Sequence, residues 1–152
     1  MNNTLHRSFF EATQEVFELM LDLEVRESLA STNKDDCGDF TIAIGVTGDL
    51  TGDVLYIFPK NTMLQMVRIL TGGMEVDEVD DFVTSAIGEI SNIISGKALI
   101  ALSQKDVTCD ILPPQIIPSE KGICDYSMDS NTRIETQIGS LGFEIHLQSE
   151  KQ

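Results

Sequence analysis

From about Glu78 to Ser103 the chain carries Val79, Phe82, Val83, Ala86, Ile87, Ile90, Ile93, Ile94 and Ala101, most of them three or four residues from another of the set. At about 100° per residue these side chains fall on one arc of an α-helix, the longest in the sequence. So long an apolar arc has to be buried, and the layer rules for domains offer a sheet or further helices as its partner. The acidic stretch EVDEVDD at 75–81 places negative charge before and within the first turn, where the helix dipole favours it.

The rest of the chain supplies that partner. Residues 4–24 repeat Leu5, Phe9, Ala12, Val16, Leu19, Met20 and Leu23 at helical spacing, with Thr4 as the expected N-cap. FTIAIGVTG and DVLYIFPK alternate as strands, and the glycines of GDLTGD between them suit a hairpin turn. A short helix follows from Lys60 to Leu70 and stops at Gly72-Gly73. Beyond the long helix, VTCDIL, QIIP, GICDYSMD, TRIETQIG and LGFEIHLQ read as strands, with Pro113-Pro114 as a break. The predicted class is α+β: an antiparallel sheet with two long helices packed on one face. A degenerate pseudo-repeat of an α-β-β unit is also expected, headed by Phe10–Leu23 and by Ile87–Ile100. Ile42, Ile44 and Val46 alternate with Thr41, Ala43 and Gly45, so one sheet face should be buried. A free sheet edge makes a homodimer the expected assembly.

At 152 residues and 41% hydrophobic composition, residues 1–152 are expected to form a single domain with one core. Asp and Glu number 25 against 10 Lys and Arg, and the formal charge of −15 argues against nucleic acid or an anionic membrane as partner. Cys37, Cys109 and Cys124 are odd in number and form no CxxC pair, so reduced thiols in a cytoplasmic protein are expected. His6 and His146 lie at opposite ends of the sequence, which gives little support to a histidine metal site or a catalytic triad. The N-terminal segment has no signal-peptide pattern, and no run of 18 apolar residues predicts a membrane span.

Ser85, Glu89, Asn92 and Gly96 step by four, three and four along the opposite edge of the long helix. A carboxylate and a carboxamide therefore project side by side. Such a stripe is ordinarily the solvated side of an amphipathic helix. Against that, Gly88 and Gly96 each cost roughly 1 kcal/mol relative to Ala inside a helix, and Asn92 is also a poor helix former. Small residues around the Glu89/Asn92 pair suggest clearance for another protein's surface. An amide is no nucleophile at neutral pH, yet it can hold a water in line, which goes far in phosphoryl transfer. Such positioning, worth two to three powers of ten, lowers a barrier by roughly 3–4 kcal/mol. Lys97, which ideal geometry puts in the buried arc, would have to snorkel or sit on a local distortion at Gly96.

Glu89-Ile-Ser-Asn92, with Ser85 four residues before the Glu and Pro113-Pro114 following slightly early, resembles the signature of the CheC, CheX and FliY phosphatases of bacterial chemotaxis. The resemblance covers nearly the whole length through FFEATQEVFELM, GDLTGDVLYIFP, the TGG stop and the closing strands. It implies a CheX-like domain that removes the phosphoryl group from the aspartyl phosphate of a CheY-type response regulator. By that resemblance Asn92 orients the attacking water and Glu89 pairs with the regulator's active-site lysine, while Ser85, Gly88 and Gly96 let the partner approach. Mg²⁺ and the phosphorylated Asp would belong to the partner, so the chain itself would need no cofactor. Two-site relatives repeat the motif on their first helix. Here that segment offers only Glu11 and Gln14, which favours the one-site CheX type and hence a homodimer. The alternative is a non-catalytic module that binds a receiver domain or a flagellar switch component. An unrelated metal-dependent hydrolase is poorly supported, since the acidic residues 75–81 lack the spacing of a calcium loop.

Overall fold

A computed structural model describes residues 2–28, 40–118 and 131–149. Helix α1 spans Asn2–Val16 and runs into a π-helical turn at Phe17–Leu21; α2 spans Lys60–Leu70 and α3 Asp81–Ser103. The strands are β1 (Val25–Ser28), β2 (Phe40–Gly48), β3 (Leu50–Phe58), β4 (Cys109–Ile111), β5 (Gln115–Pro118), β6 (Asn131–Thr136) and β7 (Gly139–Ser149). They form one seven-stranded sheet in the order β1-β6-β7-β3-β2-β4, with β5 also pairing with β2. Every pairing is antiparallel. The class is the α+β one read from the sequence.

Register decides which side chains meet the helices. Ile42, Ile44 and Val46 of β2 lie opposite Tyr56, Val54 and Gly52 of β3, which in turn face Phe143, Ile145 and Leu147 of β7. Of these, Ile42, Ile44, Val46, Val54, Tyr56 and Phe143 are buried in one continuous core with Phe9, Val16 and Phe17 of the α1 segment and Val83, Ile87, Ile90 and Ile94 of α3. Across the helix layer the Tyr56 hydroxyl meets Ser95 Oγ at 2.8 Å. Ser95 Oγ donates to the Ser91 carbonyl at 3.0 Å, and Ser91 Oγ donates to the Ile87 carbonyl at 3.0 Å, so these buried hydroxyls are satisfied within the helix they belong to.

Burial pushes the Tyr56 phenol well above its ordinary value, and the Ser95 hydrogen bond only partly offsets this. A phenol whose folded pKa is raised holds its proton longer in the native state than in the unfolded one. Its stabilising contribution is therefore complete below the usual value of 10.0 and is lost as pH climbs beyond it. Tyr56→Phe is expected to cost about 1 kcal/mol at neutral pH and to flatten the loss of stability above pH 10. Denaturant titrations of both proteins at neutral and alkaline pH check this, and parallel pH profiles would contradict it.

Several sequence expectations need correcting. Thr4 is no cap, because α1 is already helical from Asn2. The first helix does not reach residue 24: Asp22 turns left-handed at φ 56°, and its N–H and that of Leu23 both return to the Phe17 carbonyl. Strand β1 follows at Val25–Ser28, a four-residue segment to which the sequence pattern assigned no element. The hairpin reverses at Gly48–Leu50, so β3 begins at Leu50 and Gly52 lies inside it. Helix α3 starts three residues later than expected, capped by Asp80, whose Oδ1 accepts from Val83 N–H at 3.0 Å. The expected strand GICDYSMD, with Cys37 and Cys124, lies outside the described residues. Cys109 Sγ accepts a hydrogen bond from Leu50 N–H at 3.4 Å. Among the described residues no helix is long and apolar enough to cross a membrane.

Candidate functional site

Helix α3 is apolar on nearly every side, and for that reason its buried arc differs from the one counted in the sequence. Val83, Ile87, Ile90, Ile94, Ala98, Leu99 and Leu102 are buried together with Ser91 and Ser95. Phe82 is exposed, and Ala86 and Ile93 are only half-buried, although all three belong to the expected core arc. The solvent-facing edge runs through Phe82, Ser85, Glu89, Gly96 and Ile100, with Asn92 at its margin.

Glu89 and Asn92 are three residues apart, about 4.5 Å along the axis and about 60° around it. Glu89 is exposed and makes no hydrogen bond or ion pair among the described residues. Asn92 is half-buried, and its Oδ1 is enclosed without a hydrogen-bond partner. An enclosed acceptor left unpaired costs about 1–3 kcal/mol, so folding alone gives no reason for an amide there. Ser85 is exposed and Gly96 half-buried.

Two elements border this edge. On one side lies the segment joining β4 to β5: a Cβ added to Gly88 would come within 3.3 Å of Pro114 Cγ, and one added to Gly96 would sit 4.0 Å from Ile111 Cδ1. Gly88 is thus buried beneath the chain's own proline, so the space its missing side chain leaves is taken up by Pro114, and half-buried Gly96 has Ile111 at ordinary contact distance. The Pro-Pro break that followed the motif in sequence is folded back onto the motif's helix. On the other side lies α1, whose Glu15 Oε1 accepts from Lys97 Nζ at 3.4 Å. Lys97 therefore reaches across to α1, and helix distortion at Gly96 is not needed to explain it. On α1, Glu11 and Gln14 are exposed, and Glu11 meets Arg7 at 3.6 Å one turn away. Among the described residues no three His, Cys, Asp or Glu side chains group as a metal site.

The α+β fold with its seven-stranded antiparallel sheet matches the structure of a CheC-like superfamily protein from Shewanella, with a TM-score of 0.80 at 22% identity over 98% of this chain and 100% of the other. The chain belongs to the chemotaxis phosphatase CheX family, whose model matches residues 40–134. It is 38% identical over 74 residues to the CheY-P phosphatase CheX of Thermotoga maritima, covering 49% of this chain and 48% of that protein. The chain thus spans about half the length of the curated relative it matches. Among solved structures it superposes on the chemotaxis protein CheX of Vibrio vulnificus with a TM-score of 0.80 at 21% identity, over 95% of this chain and 99% of the other. It also superposes on the CheX of Borrelia burgdorferi, solved as a CheX-CheY-BeF3-Mg²⁺ complex, with a TM-score of 0.73 at 22% identity, over 94% and 97% of the two chains.

Proposed function

We propose that the chain is a phosphatase that hydrolyses the aspartyl phosphate of a CheY-type response regulator. The observation that carries this reading is the Glu89 and Asn92 side chains, adjacent on one helix edge and unpaired among the described residues, in a member of the CheX family. Docked on a receiver domain, the Asn92 amide holds a water in line with the phosphorus. Glu89 pairs with the receiver's active-site lysine and fixes the approach. Water adds to phosphorus as the P–O bond to the aspartate breaks, which releases inorganic phosphate and restores the carboxylate. The receiver supplies Mg²⁺ and the electrophile, so the chain's contribution is position. Ser85 and Gly96 leave room beside the pair. The chain acts as one domain, in the cytoplasm, and as a homodimer that presents two Asn92 sites.

The lifetime of a phosphorylated CheY receiver with Mg²⁺ tests this directly. Catalytic amounts of the chain are expected to shorten it. Stoichiometric capture without shortening would instead identify the non-catalytic module. Glu89→Lys sets a like charge against the receiver's lysine and should cut kcat/KM at least about 30-fold, equivalent to about 2 kcal/mol. Its melting temperature should match the parent's, because Glu89 supports no contact among the described residues. Unchanged kcat/KM would remove Glu89 from the site.

A further inference from the structure

Two large apolar side chains of α3 stand in solvent, Phe82 at 50% and Ile100 at 63% of full exposure. Both lie within about 20° of Glu89 around the helix axis, Phe82 about 10 Å towards the N-terminus and Ile100 about 16 Å towards the C-terminus. Scattered singly on a surface they would need no explanation. Here they bracket the polar pair along one line, with half-buried Ile93 and Gly96 between.

The charge of the strip is one-sided. Asp80 caps the helix, Asp81 and Glu89 are exposed, and the only lysine of α3, Lys97, is held by Glu15 of α1. A surface that covers this strip must offer apolar contacts at two ends, a cationic group opposite Glu89 and another beside the Asp80–Asp81 end. From Phe82 to Ile100 the strip is about 27 Å long, close to the width of a small domain. That suits a folded partner of standard interface size, about 800 Å² a side, better than a short peptide.

We propose that Phe82 and Ile100 are the apolar anchors that seat the receiver domain, one on each side of its acyl phosphate. The proposal rests on the phosphatase reading above and adds the residues that set affinity. Desolvated anchors carry most of the energy of a typical interface, and neighbouring contacts keep water from the centre. With anchors at both ends, the strip holds the receiver against tilting, so Asn92 meets the phosphorus in one geometry.

The test is the affinity for a CheY receiver charged with beryllofluoride and Mg²⁺, which can be read whether or not hydrolysis occurs. The double variant Phe82→Ser/Ile100→Ser is expected to weaken Kd at least tenfold with an unchanged melting temperature. Phe82→Leu/Ile100→Leu should restore Kd to within about threefold of the parent. A serine variant that binds within twofold of the parent overturns the anchors, as does a parent that does not bind. Sedimentation of the free chain addresses self-association, and a dimer that the serine pair converts to monomer would make the strip a homotypic contact and also overturn the proposal. Failure of the phosphatase reading is separate: it appears as an unshortened phosphate lifetime with tight, anchor-dependent binding.

Discussion

Asn92→Ala is expected to remove most of the acceleration of receiver dephosphorylation, a fall in kcat of roughly 10²–10³-fold, while the protein becomes no less stable. The rate loss corresponds to about 3–4 kcal/mol of barrier and is the usual scale for deleting one preorganised polar group at a reacting centre. The stability half follows from the amide's surroundings. Its Oδ1 is enclosed without a partner, and alanine is the better helix former by about half a kcal/mol. Removing an unmet acceptor and improving propensity both favour the folded state, so Tm should hold or rise by a few degrees. Binding of the charged receiver should survive, since Glu89 and the flanking residues remain. Single-turnover kinetics alongside a thermal melt decide the matter. Retained turnover would exclude Asn92 as the water-positioning group, and a large drop in Tm would assign it a structural role instead.

The second large effect concerns the sheet. In Gly52→Ala the new Cβ would stand 1.9 Å from the His146 carbonyl oxygen and 3.2 Å from Leu147 Cα, at a φ of +148°. The obstacle is backbone of the adjacent strand β7, so no rotamer change relieves it. Forcing the β3–β7 pair apart, or holding alanine in that conformation, should cost roughly 3 kcal/mol or more and lower Tm on the order of 10 °C. Thermal unfolding followed by circular dichroism measures it, and a Tm within two degrees of the parent would refute the close approach. Because β3 also carries Tyr56, the same variant should loosen the seat of α3 and lower the proposed phosphatase activity indirectly.

The sequence made α2 legible at both ends, because Met63, Met66, Val67 and Leu70 repeat cleanly between the residues that bound the helix. Strand β2 was equally plain from its alternation. The adjacency of Glu89 and Asn92 needed no tertiary information, since three residues on a helix fix it. What could not be read was which way α3 faces. Its isoleucines occupy so many directions that counting them admits Phe82 and Ile93 to the core as readily as Ala98 and Leu99. Gly88 likewise gave its helix cost in sequence but not its neighbour, because Pro114 reaches it only through the folding of a distant segment. The one available signal was the proline pair itself, of which Pro114 lies against Gly88 of the motif's helix.

The bond between Tyr56 and Ser95 bears on that ambiguity. A helix greasy on almost every side has little hydrophobic reason to prefer one orientation about its long axis, and several packings would be close in energy. The contact breaks this degeneracy, since a wrong orientation strands the Tyr56 phenol away from water, whereas Ser95 keeps its bond to the Ser91 carbonyl in any of them. Opposite that tether, the same choice of azimuth determines which residues look outward. The outward edge is thus selected from the inside: the sheet's tyrosine makes one of many similar states unique, and in that state Glu89 points to the solution.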